Sequence, residues 1–315
     1  MHNNNDRSVK QGDKLLKMPG KFDRGPVDFK SHISEQEGEI MAIATRNVIS
    51  IPPTMRILGA VETMTGWGFR RLPVIDPGSR KLRGIITSGD IVNFLGGGDK
   101  YKLVEVKHGG NFIAAINEGV RAIMTQQVTS LSDKSRIRDA IGVIVKKKIG
   151  GIPLVNEDEV PTGIVTERDV MTILSKEKSS LAVEDIMSTK LRVIAPDTPL
   201  GEVTKEMTVH KFRRLPVVSN EVLIGMVTTS DVMKYLGSGK VFPQLITGQS
   251  EEFMAIPVRS LMSGSLIATS PEKNINDVAK EMLEKNLGGL PVIEDSRLIG
   301  LVTEFDLVKA LARSE

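Results

Sequence analysis

The chain has 315 residues, of which 40% are hydrophobic and 26% are charged, as is usual for a globular protein with a substantial core. The 42 Lys and Arg residues nearly balance the 39 Asp and Glu residues, and only 4% of the chain is aromatic, which argues against a nucleic-acid-binding surface built on charge and base stacking. The absence of cysteine excludes disulfides, thiolate metal sites and a cysteine nucleophile.

The N-terminal segment, residues 1–40, carries none of the patterns found in the rest of the chain, and we expect it to be a partly flexible extension. The chain starts with a polar stretch that does not fit a signal peptide, and it contains no run of about 18 apolar residues. We therefore expect a cytoplasmic protein with no membrane partner. The four histidines are scattered along the chain, so no metal site is predicted.

From residue 41 onward the chain is a fourfold repeat. Each copy has a proline after an apolar residue, then a glycine, a threonine three residues after the glycine, and an aspartate three residues after the threonine. The prolines are Pro73, Pro153, Pro216 and Pro291. The pattern predicts four domains at 41–95, 120–178, 183–236 and 258–315, hereafter repeats 1 to 4, with insertions or linkers at 96–119 and 237–257.

Each repeat carries the same predicted elements in the same order. Apolar residues separated by three and four positions, such as Ile57, Ala60 and Met64 in repeat 1, predict a helix. A short strand precedes this helix (VISI, VTSL, RVIA and LIAT in the four repeats). A strand at the proline, a turn, a second strand and a last helix near the aspartate follow it. A β-α-β-β-α unit of about 55 residues buries too little surface alone, so we expect the repeats to pair.

The repeats are of two kinds. The first and third carry FRRLPV, whereas the second and fourth carry two glycines before the branched residue and the proline. The longer connections, 96–119 and 237–257, recur inside each half of the chain, and a short joint separates the halves. This arrangement indicates an ancestral pair of unlike repeats that was duplicated.

The motif G-h-h-T-x-x-D-h after an L-P-V strand, where h is hydrophobic, resembles CBS domains, and the resemblance covers residues 41–315. With four copies and little else, the chain resembles the four-CBS proteins of archaea and the gamma subunit of AMP-activated protein kinase. The resemblance implies an α+β (mixed α/β) fold. Two CBS domains then form a pair about a pseudo-twofold axis, a Bateman module, and two pairs form a disc. It also implies that clefts between paired domains bind adenosine-containing ligands.

The threonine and aspartate of the repeated motif fit two roles. In ligand binding, the carboxylate accepts hydrogen bonds from both ribose hydroxyls, and the threonine holds a phosphate oxygen at a helix start. In a structural role, T-x-x-D is nearly a capping box, whose side chains only satisfy helix-end amides. A repeated helix needs a repeated cap, so the four copies do not decide, and the resemblance favours ligand binding for at least one site. The candidates are Thr87, Asp90, Thr166, Asp169, Thr228, Asp231, Thr303 and Asp306.

Arginine pairs come directly before the proline strand in repeats 1 and 3, as Arg70–Arg71 and Arg213–Arg214. Arginine makes bidentate contacts with phosphate. Neighbouring strand residues point to opposite faces, so at most one arginine of each pair is expected to face a given cleft. A solvated strand edge or an ion pair with a carboxylate is the alternative. Resemblance to a phosphate-contacting basic run in the kinase gamma subunit favours Arg213 and Arg214, either in their own pair or across the disc centre.

The resemblance also implies that a hydroxyl on the first strand of one domain contacts the ligand of its partner. Ser50 and Ser130 supply this hydroxyl in the first pair, whereas Val193 and Ala268 replace it in the second. We therefore expect two better sites in the first pair. One combines Ser50 with Thr166, Arg168 and Asp169, and the other combines Ser130 with Thr87 and Asp90.

Two further expectations concern phosphate and adenine. Arg168 has no counterpart in the other repeats, and it either neutralises a phosphate or is a surface charge of its helix. The adenine ring is expected among apolar strand residues near Val74, Val155, Val217 and Val292, which are core residues in either case.

The predicted function is a non-enzymatic, energy-sensing regulatory protein that binds AMP, ADP or ATP between paired domains. S-adenosylmethionine shares the ribose and adenine of these nucleotides and stays a candidate, and no cofactor, metal or catalytic residue is expected. The protein target and the pairing of discs into homodimers stay open. The alternatives are a scaffold with vestigial clefts and a nucleic-acid-responsive regulator, since the isoelectric point is about 8.9. The balanced charge argues against the second, and an enzyme is the least favoured reading.

Overall fold

The computed structural model describes residues 39–176, 179–264 and 266–313. The predicted flexible extension, residues 1–40, lies outside the described residues except for its last two positions, which begin a short 3-10 helix (Glu39–Ala42). None of the helices in the described ranges combines the length and apolar character needed to cross a membrane.

Each repeat folds into a helix, an antiparallel hairpin and a second helix, which confirms the predicted α+β class. The first helices are α1 (Ile57–Trp67), α4 (Ile137–Lys147), α6 (Leu200–His210) and α9 (Ile275–Glu284). The hairpins are β1 (Arg71–Ile75) with β2 (Leu82–Thr87), β4 (Gly151–Val155) with β5 (Pro161–Thr166), β6 (Arg214–Ser219) with β7 (Val222–Thr228), and β8 (Gly289–Glu294) with β9 (Arg297–Thr303). The second helices are α2 (Ser88–Val92), α5 (Glu167–Leu174), α7 (Thr229–Gly237) and α10 (Glu304–Arg313).

The strand predicted at the start of each repeat is much shorter than expected. Among the described residues, repeat 2 keeps a two-residue strand, β3 (Leu131–Ser132). Repeats 1, 3 and 4 each keep a single parallel bridge, namely Ile51–Val74, Ile194–Val217 and Thr269–Val292. The chain before each of these pairings forms a bridge with the other repeat of the pair. Thr45 of repeat 1 forms an antiparallel bridge with Ile164 of repeat 2, and equivalent bridges join the other segments to their partners. Each segment is therefore divided between two sheets.

We call the segments that pair with the other repeat, around Thr45, Thr125, Ser188 and Ser263, the exchanged segments. They join repeat 1 to repeat 2 and repeat 3 to repeat 4, as the predicted pairing requires. The helices pack in the other direction and form two hydrophobic cores. One core contains apolar residues of repeats 1 and 3, where α1 and α2 pack against α6 and α7. The other contains apolar residues of repeats 2 and 4, where α4 and α5 pack against α9 and α10. Sheets and helices together link the four repeats into a ring.

The two insertions pack against each other at the edge of the first core. They contain the short helices α3 (Phe112–Ile116) and α8 (Ser250–Met254). The rings of Phe94, Phe112 and Phe253 stack with centroids 6.3 and 5.1 Å apart, and they are among the largest fully buried side chains. The insertions are therefore ordered parts of the molecule that extend the core of repeats 1 and 3.

Candidate functional site

The repeated Thr–Asp motif has the same geometry in all four repeats. The threonine ends a strand and the aspartate lies in the first turn of the following helix. In repeat 2, the backbone N–H and the hydroxyl of Thr166 both donate to Oδ2 of Asp169, each at 2.7 Å. The same two hydrogen bonds occur in the other repeats. The capping role is therefore present, but it uses only one of the two carboxylate oxygens.

The second carboxylate oxygen, Oδ1, distinguishes the repeats. In repeat 1, Lys100 from the insertion forms an ion pair with Oδ1 of Asp90, and the hydroxyl of Thr125 donates to the same atom at 3.4 Å. Asn93 holds this lysine in place, because its side-chain oxygen accepts from the Lys100 backbone N–H at 2.7 Å. Among the described residues, none makes a hydrogen bond to Oδ1 in repeats 2, 3 and 4.

Two of these three available aspartates line one central cavity of about 530 Å³. Asp169 and Thr166 of repeat 2 face the exchanged segment of repeat 1, at Thr45 and residues 47–49, and we call this space cleft A. Asp231 and Thr228 of repeat 3 face Ser263, Leu266 and Ile267 of repeat 4, and we call this space cleft B. Both clefts open into the same cavity, which is lined by residues of all four repeats.

All four predicted arginines line this cavity, together with Arg168. That at most one arginine of each pair faces a given cleft stays a prediction, because clefts A and B share this cavity. Strand β1 begins at Arg71 and β6 begins at Arg214, so Arg70 and Arg213 lie before the strands and escape the alternation of strand side chains. We call the five residues the central arginine cluster.

The glycine pairs of repeats 2 and 4 make room for the arginines of repeats 1 and 3. A methyl group on Gly151 would lie 2.5 Å from a nitrogen of Arg71, closer than any real contact allows. In the second pair, Arg214 packs directly against Gly289 and donates to the carbonyl of Gly288. The alternation of arginine and glycine pairs along the sequence therefore reflects direct contact within each pair of repeats.

Two buried glutamates that sequence analysis did not single out hold part of the cluster. Glu167 is 1% exposed and accepts hydrogen bonds from both terminal nitrogens of Arg213, at 2.5 and 2.7 Å. Glu304 is fully buried and accepts from Arg70 at 2.7 Å and from Arg168 at 3.0 Å. Although burial opposes ionisation of Glu304, the charges of Arg70 and Arg168 outweigh it and lower its pKa to about 2.

A sequence signal for these glutamates was present. Repeats 2 and 4 read T-E-x-D, whereas repeats 1 and 3 carry Ser88 and Thr229 at the same position. These two hydroxyls are buried and hydrogen-bonded to each other at 3.2 Å. Arg168 contacts Asn286 at 2.5 Å and the carbonyl of Leu287 at 2.9 Å in addition to Glu304, and its neutralising a phosphate stays a prediction. It joins repeat 2 to repeat 4 and lines the cavity.

Arg71 and Arg214 have no carboxylate partner among the described residues. For Arg71, burial and the neighbouring charge of Arg70 lower the pKa to about 10. For Arg214, burial and the charge of Arg213 do the same. Both guanidinium groups remain charged at neutral pH, and both lie where positive charge is disfavoured unless an anion is near.

The remaining predicted residues lie elsewhere. Ser50 and Ser130 are half-buried and, like Thr303 and Asp306 of repeat 4, are not among the residues that line the central cavity. Thr87 donates hydrogen bonds to one carboxylate oxygen of Asp90, and Lys100 pairs with the other. Three of the four valines proposed around adenine are fully buried in the two cores, namely Val74, Val217 and Val292. The apolar lining of the cavity instead includes Ile164, Met226 and Pro291.

Comparisons with known proteins agree with this architecture. The family model described as the CBS domain matches residues 38–97, 120–176, 183–238 and 258–313. An uncharacterised protein of Methanocaldococcus jannaschii, MJ1225, is 37% identical over 276 residues, which is 87% of this chain and 99% of that protein. Its crystal structure, described as that of a candidate archaeal homologue of the gamma subunit of AMPK, matches with a TM-score of 0.82 over 86% of this chain and 99% of its own.

Smaller structures match about two fifths of the chain. CBSX2, solved in complex with AMP, is 25% identical, covers 42% of this chain and has a TM-score of 0.36, with 98% of its own chain covered. The CBS domain pair of MJ0100, solved with 5′-methylthioadenosine and S-adenosyl-L-methionine, is 24% identical and has the same TM-score, with 43% and 98% of the two chains covered.

Proposed function

The chain belongs to the CBS-domain family, and from that premise we propose that it is a regulatory protein that binds adenine nucleotides in clefts A and B of its central cavity. The single observation that carries the proposal is the shared lining of that cavity. Asp169 and Asp231, each with a carboxylate oxygen available, line one cavity with five arginines.

Each cleft offers groups that match the parts of a nucleotide. The available Oδ1 of Asp169 suits the two adjacent hydroxyls of a ribose, because an ionised carboxylate accepts strong hydrogen bonds. The first turn of α5 lies beside it, and backbone N–H groups at a helix start favour an anion. The apolar residues Ile164 and Met226 offer surface for an adenine ring.

The charge of the cavity supports phosphorylated ligands. Six cationic side chains line it, namely the central arginine cluster and Lys234, against the lining aspartates and the two buried glutamates. A phosphate carries about −1.5 to −2 charge at neutral pH and is attracted to such a surface, whereas the sulfonium cation of S-adenosylmethionine is repelled. We therefore place AMP, ADP and ATP ahead of S-adenosylmethionine as ligands.

A regulatory role follows from the position of the clefts. All four repeats contribute lining residues, so a ligand that binds there stabilises one arrangement of the ring over others. We propose that the protein reports nucleotide occupancy through this arrangement to a protein target, without catalysing a reaction. A scaffold that binds no nucleotide remains the competing function.

Isothermal titration calorimetry of the full chain with AMP tests the proposal. We expect two molecules of AMP per chain, a loss of one site in Asp169→Ala, a loss of the other in Asp231→Ala, and no binding in the double variant. Asp90→Asn is the matched control, because this aspartate belongs to the same motif but is paired with Lys100 outside the cavity. Absence of AMP, ADP and ATP binding to nucleotide-free protein would favour the scaffold.

A further inference from the structure

The chain that follows α2 turns back towards the aspartate of its own repeat. Residues 96–101 read GGGDKY, and Lys100 forms an ion pair with Oδ1 of Asp90. This atom is the equivalent of the oxygen that is available in clefts A and B. The hydroxyl of Thr125, on the exchanged segment of repeat 2, donates to the same atom at 3.4 Å. The ammonium group of Lys100 is therefore bound in the cleft between repeats 1 and 2, hereafter the repeat 1 cleft.

The glycines of this segment allow it to make the turn. Gly96 has a φ of +117°, in the region that favours glycine, and a methyl group on it would collide with Met254 of α8. A methyl group on Gly97 would collide with the hydroxyl of Thr208 on α6. The turn therefore packs directly against the second half of the chain, at a distance that leaves no room for larger side chains.

Hydrogen bonds hold the segment from two directions. The side-chain oxygen of Asn93 accepts from the Lys100 backbone N–H at 2.7 Å, and its nitrogen donates to Asp99 at 2.9 Å. The hydroxyls of Tyr101 and of the buried Ser250, which lies in the second insertion, are 2.8 Å apart. The position of Lys100 is thus fixed both by repeat 1 and by the second insertion.

The ion pair remains accessible to a ligand from solvent. A groove of about 470 Å³ lies beside it, lined by residues that include Lys100 and Leu103 of the first insertion and Ile123 and Met124 of repeat 2. The side chains of Lys100 and Asp90 are 19% and 11% exposed. A space of this size suits a small molecule, so a ligand can reach the pair while the insertion stays folded.

We propose that residues 96–101 form a displaceable plug, in which Lys100 occupies the repeat 1 cleft in place of a nucleotide. A group tethered by a short segment competes at an effective concentration in about the millimolar range. A free nucleotide therefore fills this cleft only well above the concentrations that fill clefts A and B. Displacement of the lysine also loosens the neighbouring contact between Tyr101 and Ser250, which couples the third cleft to the packing of the two insertions.

The inference rests on the proposed function for the class of ligand, but it concerns a cleft that the proposed function does not use. Asp90 and Lys100 do not line the central cavity. The double variant Asp169→Ala, Asp231→Ala lacks the carboxylates of clefts A and B and keeps the repeat 1 cleft intact. It is therefore the background in which the plug is tested.

Calorimetry with AMP measures whether the lysine closes the cleft. We expect no binding to the double variant at AMP concentrations that fill clefts A and B of the parent. Adding Lys100→Met should produce one AMP site, at least ~10-fold tighter than in the plugged chain, because the tethered competitor is lost. The further change Asp90→Asn should remove this site. Lys100→Gln keeps a hydrogen-bond donor without the charge, and it replaces Lys100→Met if that variant does not fold.

Hydrogen–deuterium exchange reports displacement of the plug directly. In the double variant, AMP raised to millimolar concentrations should accelerate exchange in the peptides that contain Lys100, Tyr101 and Ser250. Lys100→Met should show the faster exchange without any ligand. Lys102→Met is the matched control, because it removes an exposed lysine from the same insertion, and it should change neither exchange nor the number of AMP sites.

Slower exchange of residues 96–101 on addition of AMP would overturn the inference, because Lys100 would then hold the ligand instead of competing with it. If the parent binds two AMP molecules and Lys100→Met adds none, the plug fails and the proposed function stands. If the parent binds none, but Lys100→Met opens one site that Asp90→Asn removes, the plug stands and the proposed binding in clefts A and B fails.

Discussion

Replacing Glu304 with Gln should destabilise the protein by about 3 kcal/mol at pH 7. The carboxyl has a pKa of about 2 in the folded chain against 4.5 as its ordinary value. Each tenfold difference in proton affinity is worth about 1.4 kcal/mol, so the ionised carboxylate contributes about 3 kcal/mol to stability above pH 4.5. Because Glu304 is fully buried, solvent screening does not reduce this figure. Glutamine mimics the protonated acid and leaves Arg70 and Arg168 without their counter-charge.

The pH dependence has a defined sign. A carboxyl whose pKa is lowered on folding stabilises the folded state above its ordinary pKa and loses that contribution as the pH falls towards the folded value. The difference in unfolding free energy between parent and Glu304→Gln should therefore be constant from pH 7 to about 5 and decrease below pH 4.5. Urea denaturation followed by circular dichroism at several pH values measures it.

The matched control is Glu284→Gln, which changes an exposed glutamate on α9 and should alter stability by less than about 0.5 kcal/mol. The electrostatic account of the cluster would be refuted by a loss below 1 kcal/mol in Glu304→Gln at pH 7. A larger loss that stays the same at pH 3.5 would also refute it, because it would indicate a packing defect.

Three further predictions test other parts of the site. Lys100→Met should free Oδ1 of Asp90 and add a third AMP site in calorimetry, and an unchanged number of sites would show that the lysine does not close the cleft. Burial raises the pKa of Asp169, so its ionisation weakens the folded state. Asp169→Asn should therefore melt no lower than the parent without ligand at pH 7, the difference shrinking as the pH falls through the raised pKa, and a lower melting temperature would contradict this reasoning. Gly289→Ala forces a methyl group to within 2.8 Å of a backbone carbonyl and should cost about 1–3 kcal/mol in urea denaturation. Gly142→Ala, in open space on α4, should instead stabilise by about 0.5–1 kcal/mol, and equal effects would be inconsistent with the packing described.

The helices and hairpins were predictable because their signals are local. Residues such as Ile57, Ala60 and Met64 recur at helical spacing, and all three are fully buried in the structure. The first strands were overpredicted for a reason that local pattern does not contain. Thr45 pairs with Ile164 in another repeat, and that partner is fixed only when the repeats assemble.

The candidate site was predictable in part for the same reason. The Thr–Asp motif can be recognised in the sequence because it is repeated four times, but its four copies differ in their surroundings. Lys100 reaches Asp90 from an insertion that has no counterpart in the motif, so the sequence gives no sign that this oxygen is occupied. Glu304 lies next to the motif, yet its role depends on Arg70, which is 234 residues away along the chain. The spacing and periodicity of residues in the sequence do not predict long-range charge pairing of this kind.

The two kinds of repeat are best understood as complementary halves of one charge arrangement. Arginine-bearing repeats 1 and 3 need the glycines of their own partners, as Arg71 needs Gly150 and Gly151. They also need glutamates from the opposite pair, as Arg213 needs Glu167. In a single pair, Arg70 and Arg213 would lack the carboxylates that neutralise them, because Glu304 and Glu167 lie in the other pair. The ring of four repeats, rather than the pair, is thus the smallest unit in which the central arginine cluster keeps both its buried glutamates and its free cations for a ligand.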